Sequence, residues 1–104
     1  MKPLCSAITL TILLLLSTTE ADADEKRARQ LMATQGCKGC HVFGGAGGTL
    51  GPGLDKIGTR MKRFQIRQKL LNPKIDKPES IMPDMMHLET EELNILVNFL
   101  ASQK

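Results

Sequence analysis

The chain of 104 residues has no tryptophan, no tyrosine and only three phenylalanines, Phe43, Phe64 and Phe99. A short chain buries a small fraction of its surface, and large rings supply much of a small core's buried area. The shortage therefore points to help from outside the side chains. Strand-type alternation is also missing after residue 24, which removes sandwiches, barrels and βαβ units. There is no internal repeat and no linker long enough for a second domain, so one domain is expected. Cysteine is scarce as well, at three residues, Cys5, Cys37 and Cys40, too few for a disulfide-stapled scaffold. The formal charge of +3 comes without aromatic or basic nucleic-acid motifs, so no nucleic-acid partner is expected.

About the first fifth of the chain reads as an address. Lys2 gives a basic start, residues 7–16 form an uncharged apolar run, and Ala21-Asp22-Ala23 fits a small-x-small cleavage site. A membrane-spanning helix needs about 20 apolar residues, twice the length of this run. The expected organisation is a cleaved secretory signal over 1–23 and a domain over 24–104, exported to the periplasm or the extracytoplasmic face of the membrane. No stable membrane insertion is expected once the signal is removed. Cys5 precedes the apolar run, the wrong side for a lipoprotein acceptor, and has no role in the mature chain. Cleavage removes Lys2, Glu20 and Asp22 from the charge count and takes the formal charge from +3 to +4.

Two cysteines in an exported protein default to a disulfide. Here Cys37-Lys38-Gly39-Cys40 is followed directly by His41, and Cys-x-x-Cys-His is the attachment signature of c-type haem. Each sulfur adds to one vinyl group of the porphyrin, and the adjacent imidazole reaches the iron. A redox dithiol expects a preceding strand, whereas Asp24 to Gln35 reads as helix. A zinc site wants four ligands, and beyond these three only His87 is at hand. One covalently bound haem c with its iron is the expected cofactor, and its flat apolar ring supplies the core that the sequence lacks.

Haem with two strong protein ligands mostly passes electrons, so the sixth ligand matters most. Met61, Met82, Met85, Met86 and His87 are the candidates. Arg60 to Asn72 reads as an amphipathic helix with Met61 on its apolar side. Met82 precedes Pro83, which disfavours helix at Met82 and stiffens the loop around it, so Met82 is the preferred ligand. Met85 and Met86 are expected beside the haem edge, and His87 on the surface.

Leu93, Leu96, Val97 and Leu100 follow i, i+3, i+4, i+7 spacing and predict one apolar face on a C-terminal helix. Six of the ten residues in 44–53 are glycine, which predicts a loop, read as close approach of backbone to the haem edge. Seven basic residues between Arg60 and Lys77, namely Arg60, Lys62, Arg63, Arg67, Lys69, Lys74 and Lys77, stand against Asp76 alone. They form either a solvated helix face or a docking patch for acidic redox proteins; Arg60 or Arg63 is also a candidate partner for a haem propionate.

In order along the chain, Leu31-Met32, the Cys37 to His41 motif, Gly51-Pro52-Gly53-Leu54, Leu71-Asn72-Pro73 and Ser80-Ile81-Met82-Pro83 resemble the small monohaem class I c-type cytochromes. The resemblance covers nearly all of 24–104. It implies an all-α cytochrome c fold, three to four helices wrapped around one covalently attached haem. It also implies Pro52 behind the proximal histidine, and His41 and Met82 as iron ligands. Glu89 stands where the family has a capping serine, so Thr90 is the expected cap. Ala28 and Met32 replace a glycine and an aromatic residue, which predicts a looser crossing of the first and last helices. The implied function is electron transfer between exported or membrane-bound partners by a monomer that is not an enzyme. Two alternatives remain: a small cytochrome subunit of a larger oxidoreductase, and a haem enzyme or gas sensor with a labile sixth ligand.

Overall fold

A computed structural model describes residues 19–104. Residues 19–34 form α1, and α2 (Ile57–Arg60), α3 (Arg63–Leu71) and α4 (Thr90–Ala101) follow, with a 3-10 turn at Cys37–Gly39. Among the described residues there is no strand, only an isolated bridge between Phe43 and Ala46. The domain is all-α, as expected. Lys2, Cys5 and the apolar run at 7–16 lie outside the described residues. Helix α1 begins ahead of the expected Asp24 and includes Ala21-Asp22-Ala23, all exposed. No helix among the described residues is long and apolar enough to cross a membrane.

The C-terminal helix organises the core. Leu93, Leu96, Val97 and Leu100 are buried as their spacing requires, and Phe99 joins them. Helix α4 packs on α3 and on α2. The α3–α4 seam is antiparallel, with two arginines four apart meeting two asparagines four apart. Arg63 donates to Asn98 Oδ1 at 3.2 Å, and Arg67 donates to Asn94 Oδ1. This i, i+4 spacing puts both members of each pair on one helix face.

Two expectations are corrected here. Arg60 to Asn72 is not one helix: α2 ends at Arg60, Met61 is extended, and α3 restarts at Arg63. Gln65 caps the restart by accepting the Lys62 N–H at 2.8 Å, leaving Ile66 and Leu70, four apart, as the buried stripe of α3. Met61 is half-buried against the core. The cap of α4 is Glu89 and not Thr90, because Glu92, three residues on, reaches back to the Glu89 N–H at 3.2 Å.

The crossing of α1 and α4 is closed. Ala28 and Met32 are 0% and 2% exposed, and Arg27 of α1 pairs with Glu92 of α4 at 2.6 Å. Phe43 meets Phe99 edge-on, with ring centroids 5.9 Å apart. The Arg29 guanidinium lies over both rings, at 5.5 and 5.2 Å from their centroids. A compact Ala28, a pliable Met32 and a ring pair covered by a cation fill the seam without an aromatic residue on α1.

Candidate haem-attachment site

The site starts where α1 stops. Gln35 N–H returns to Leu31 O at 2.9 Å and Gly36 N–H to Ala33 O at 3.2 Å, and Gly36 takes a left-handed φ of 71°. Glycine ends the helix here for its φ, since nothing crowds its open side. The chain then coils tightly, with Cys40 and His41 N–H both directed to Cys37 O at 3.3 and 3.0 Å. One helical turn therefore gathers Cys37, Cys40 and His41 on one side. Both thiols are free and half-buried. Burial pushes the Cys37 thiol pKa up, partly opposed by a backbone hydrogen bond of Cys37 itself.

His41 Nδ1 lies 2.6 Å from Pro52 O. A carbonyl only accepts, so Nδ1 carries the proton and Nε2 presents its lone pair. Histidines that bind metals commonly donate the other ring N–H to a carbonyl, which fixes the ring and raises its basicity. Two free thiols and an imidazole in this tautomer fit a covalently held haem. Apolar side chains left on the surface fit it as well, namely Leu50, Phe64, Ile75, Ile81 and Met86.

The glycine run explains the backing of the imidazole. A Cβ at Gly47 would stand 2.1 Å from His41 O, one at Gly48 2.2 Å from Gly39 O, and one at Gly51 2.3 Å from His41 Cε1. These glycines let the loop lie against the attachment turn itself. Gly48 N–H to Lys38 O, Gly51 N–H to Cys40 O and Leu54 N–H to Val42 O, at 2.7 to 2.9 Å, stitch the loop to the turn and the residue after it, and Gly44 N–H to Asp55 Oδ1 at 2.8 Å closes the loop on itself. The run of glycines was the sequence signal for this contact, although their partner could not be read from it.

The second candidate ligand sits on the segment between α3 and α4. Met82 is half-buried, with its N–H 3.3 Å from Ser80 Oγ. Leu71, Pro73, Ile81, Met82, Pro83 and Met86 are among the residues lining an open cavity of about 870 Å³. Cys37, Cys40 and His41 are not in that lining. Met85 belongs to the core at 4% exposure, and its N–H donates to Leu70 O at 2.7 Å. Met86 is exposed, with its N–H on Asp84 Oδ1 at 3.0 Å. His87 is on the surface as expected, its Nε2 2.6 Å from Gln35 Oε1.

The basic run splits once it is folded. Arg60 donates to Gly53 O at 2.8 Å, Arg63 and Arg67 hold the α4 asparagines, and Lys69 pairs with Asp76 at 3.5 Å. Lys62, Lys74 and Lys77 stand exposed. A groove of about 740 Å³ is lined by Arg60, Lys62, Arg63 and Lys104 with no acidic side chain in its wall.

The sequence model of the family described as Cytochrome c matches residues 25–104. No curated protein and no solved structure matches the chain.

Proposed function

The chain belongs to the cytochrome c family, whose members hold haem c covalently and serve haem-based electron transfer, and from that premise we propose a monohaem carrier of single electrons with His41 and Met82 on the iron. The haem, when bound, supplies a ferric–ferrous couple. Cys37 and Cys40 fix its position, and the His41 imidazole presents Nε2 while Pro52 holds Nδ1. The observation that carries the reading is this contact of 2.6 Å, backed by a loop with no room behind the ring. A ligand held in one tautomer and orientation adds little reorganisation when the charge of the site changes, as an electron carrier requires.

Met82 is proposed as the second protein ligand because Pro83 stiffens its loop, it stands half-buried beside the cavity, Met85 is held in the core and His87 engages Gln35. With haem bound, a thioether and imidazole pair would raise the potential relative to two imidazoles, which suits donation to a strong acceptor. The engagement of His87 with Gln35 favours the carrier over a peroxide or gas site, which would need a base near the iron.

Acidic redox proteins are the proposed partners. The groove walled by Arg60, Lys62, Arg63 and Lys104, with no acidic side chain, supports a positive face that would speed encounter and loosen with salt. The export reading rests on the first 23 residues, and the proposed site of action is the periplasm or the outer face of the membrane.

Absorption spectra of the oxidised and reduced protein, with and without carbon monoxide, test the ligand pair. Methionine ligation is expected to give its near-infrared charge-transfer band and to resist carbon monoxide. Ready carbon monoxide binding overturns the carrier reading.

A further inference from the structure

The segment Gly51-Pro52-Gly53 carries the carbonyl on which the imidazole depends, yet it is poorly equipped to hold still. Pro52 has no N–H to anchor it, and glycine on either side leaves the neighbouring dihedrals free. Backbone bonds fasten its two ends, Gly51 N–H to Cys40 O at 2.7 Å and Leu54 N–H to Val42 O at 2.9 Å. Between them stand two consecutive carbonyls, each taken by one side chain. Pro52 O takes the His41 ring, and Gly53 O takes Arg60 Nη2 at 2.8 Å.

Arg60 is well placed for this. It ends α2, whose first residue, Ile57, is buried in the core and whose turn closes through Met61 N–H to Ile57 O at 3.0 Å. The guanidinium therefore reaches back seven residues from a fixed base. A hydrogen bond from a charged donor is also stronger than a neutral one. Holding Gly53 O fixes the Gly53–Leu54 peptide, which with the bond at Gly51 limits how far the Pro52–Gly53 peptide between them can rotate. Neighbouring cations do other work: Arg63 and Arg67 fasten α3 to α4.

We propose that Arg60 is a positioning residue for the iron ligand, holding the Gly53 carbonyl so that the Pro52 carbonyl stays on His41 Nδ1. The proposal rests on the reading of His41 as proximal ligand.

The test is solvent exchange of the His41 Nδ1 proton, followed by NMR in the ferrous holoprotein labelled with ¹⁵N-histidine. In wild type the Nε2 shift reports whether His41 is on the iron, so failure of that reading shows before any variant is made. Arg60→Met is expected to speed exchange about tenfold, the scale of one lost charged hydrogen bond. Arg60→Lys, which keeps one donor, is expected to fall between it and wild type. Arg63→Met, in the same groove but bound to Asn98, is expected to exchange as wild type does. Wild-type exchange in Arg60→Met with an intact low-spin spectrum overturns the proposal, and is the result expected if Arg60 serves a haem carboxylate instead. If Arg60→Met does not hold haem, wild-type exchange in Arg60→Lys overturns it equally.

Discussion

Met85 donates its backbone N–H to the carbonyl oxygen of Leu70 at 2.7 Å, and this bond ties the chain after Met82-Pro83 to the end of α3. It separates two methionines three residues apart. Met85 is a core side chain, while Met82 stays half-buried beside a cavity.

Alanine at the two positions should therefore fail differently. Met85→Ala is expected to lose about 2–5 kcal/mol of stability in a denaturant titration, as large-to-small core changes do, while its near-infrared band is kept. Met82→Ala is expected to lose that band and admit carbon monoxide. A Met85→Ala protein that loses the band while Met82→Ala keeps it would transfer the ligand role to Met85.

Gly51→Ala tests the backing of the imidazole. The added methyl would lie 2.3 Å from His41 Cε1, so the ring or the loop must move, at a cost of about 1–3 kcal/mol. The expected result is a less stable holoprotein with an altered low-spin spectrum. Gly45→Ala is the comparison, since its Cβ meets nothing and only its φ of 79° resists. It should destabilise without touching the spectrum.

Charge reversal separates docking from structure. Lys62→Glu is expected to slow reduction by an acidic partner, and the difference should shrink as salt is raised, because exposed charges are screened. Arg67→Glu is expected to cost about 1 kcal/mol of stability through loss of its bond to Asn94. Stopped-flow rates across ionic strengths and a denaturant midpoint for each variant separate the two effects. An unchanged rate for Lys62→Glu at low salt would count against this face as the docking site.

Removal of the haem should unfold most of the domain. Leu50, Phe64, Ile75, Ile81 and Met86 are exposed, and any burial of such apolar surface against the ring would belong only to the haem-bound state. A Cys37→Ala, Cys40→Ala chain made without haem is expected to show weak, non-cooperative melting by circular dichroism. A cooperative, native-like melt would sink the idea that the cofactor supplies core.

Legibility of the sequence followed the range of the forces involved. The attachment motif, the apolar face of α4 and the loop character of 44–53 are local patterns, and Cys37, Cys40, His41 and Leu93 to Leu100 could be read from spacing alone. Pro52 came only through resemblance, because no local rule links residues eleven apart; the contact with His41 Nδ1 appears once the loop folds back. The break at Met61 and the cap at Glu89 were misread because charged and apolar residues continue across the first and the cap is made by Glu92, three positions away.

By itself, then, the sequence determined the cofactor and the helical class, since the attachment motif and helix periodicity are written in neighbouring residues. Only the tertiary structure decided what the glycines face, which arginines are occupied and which methionine is buried. Those outcomes depend on backbone carbonyls, at Pro52, Gly53 and Leu70, that every residue possesses and whose partners are set by distance in space.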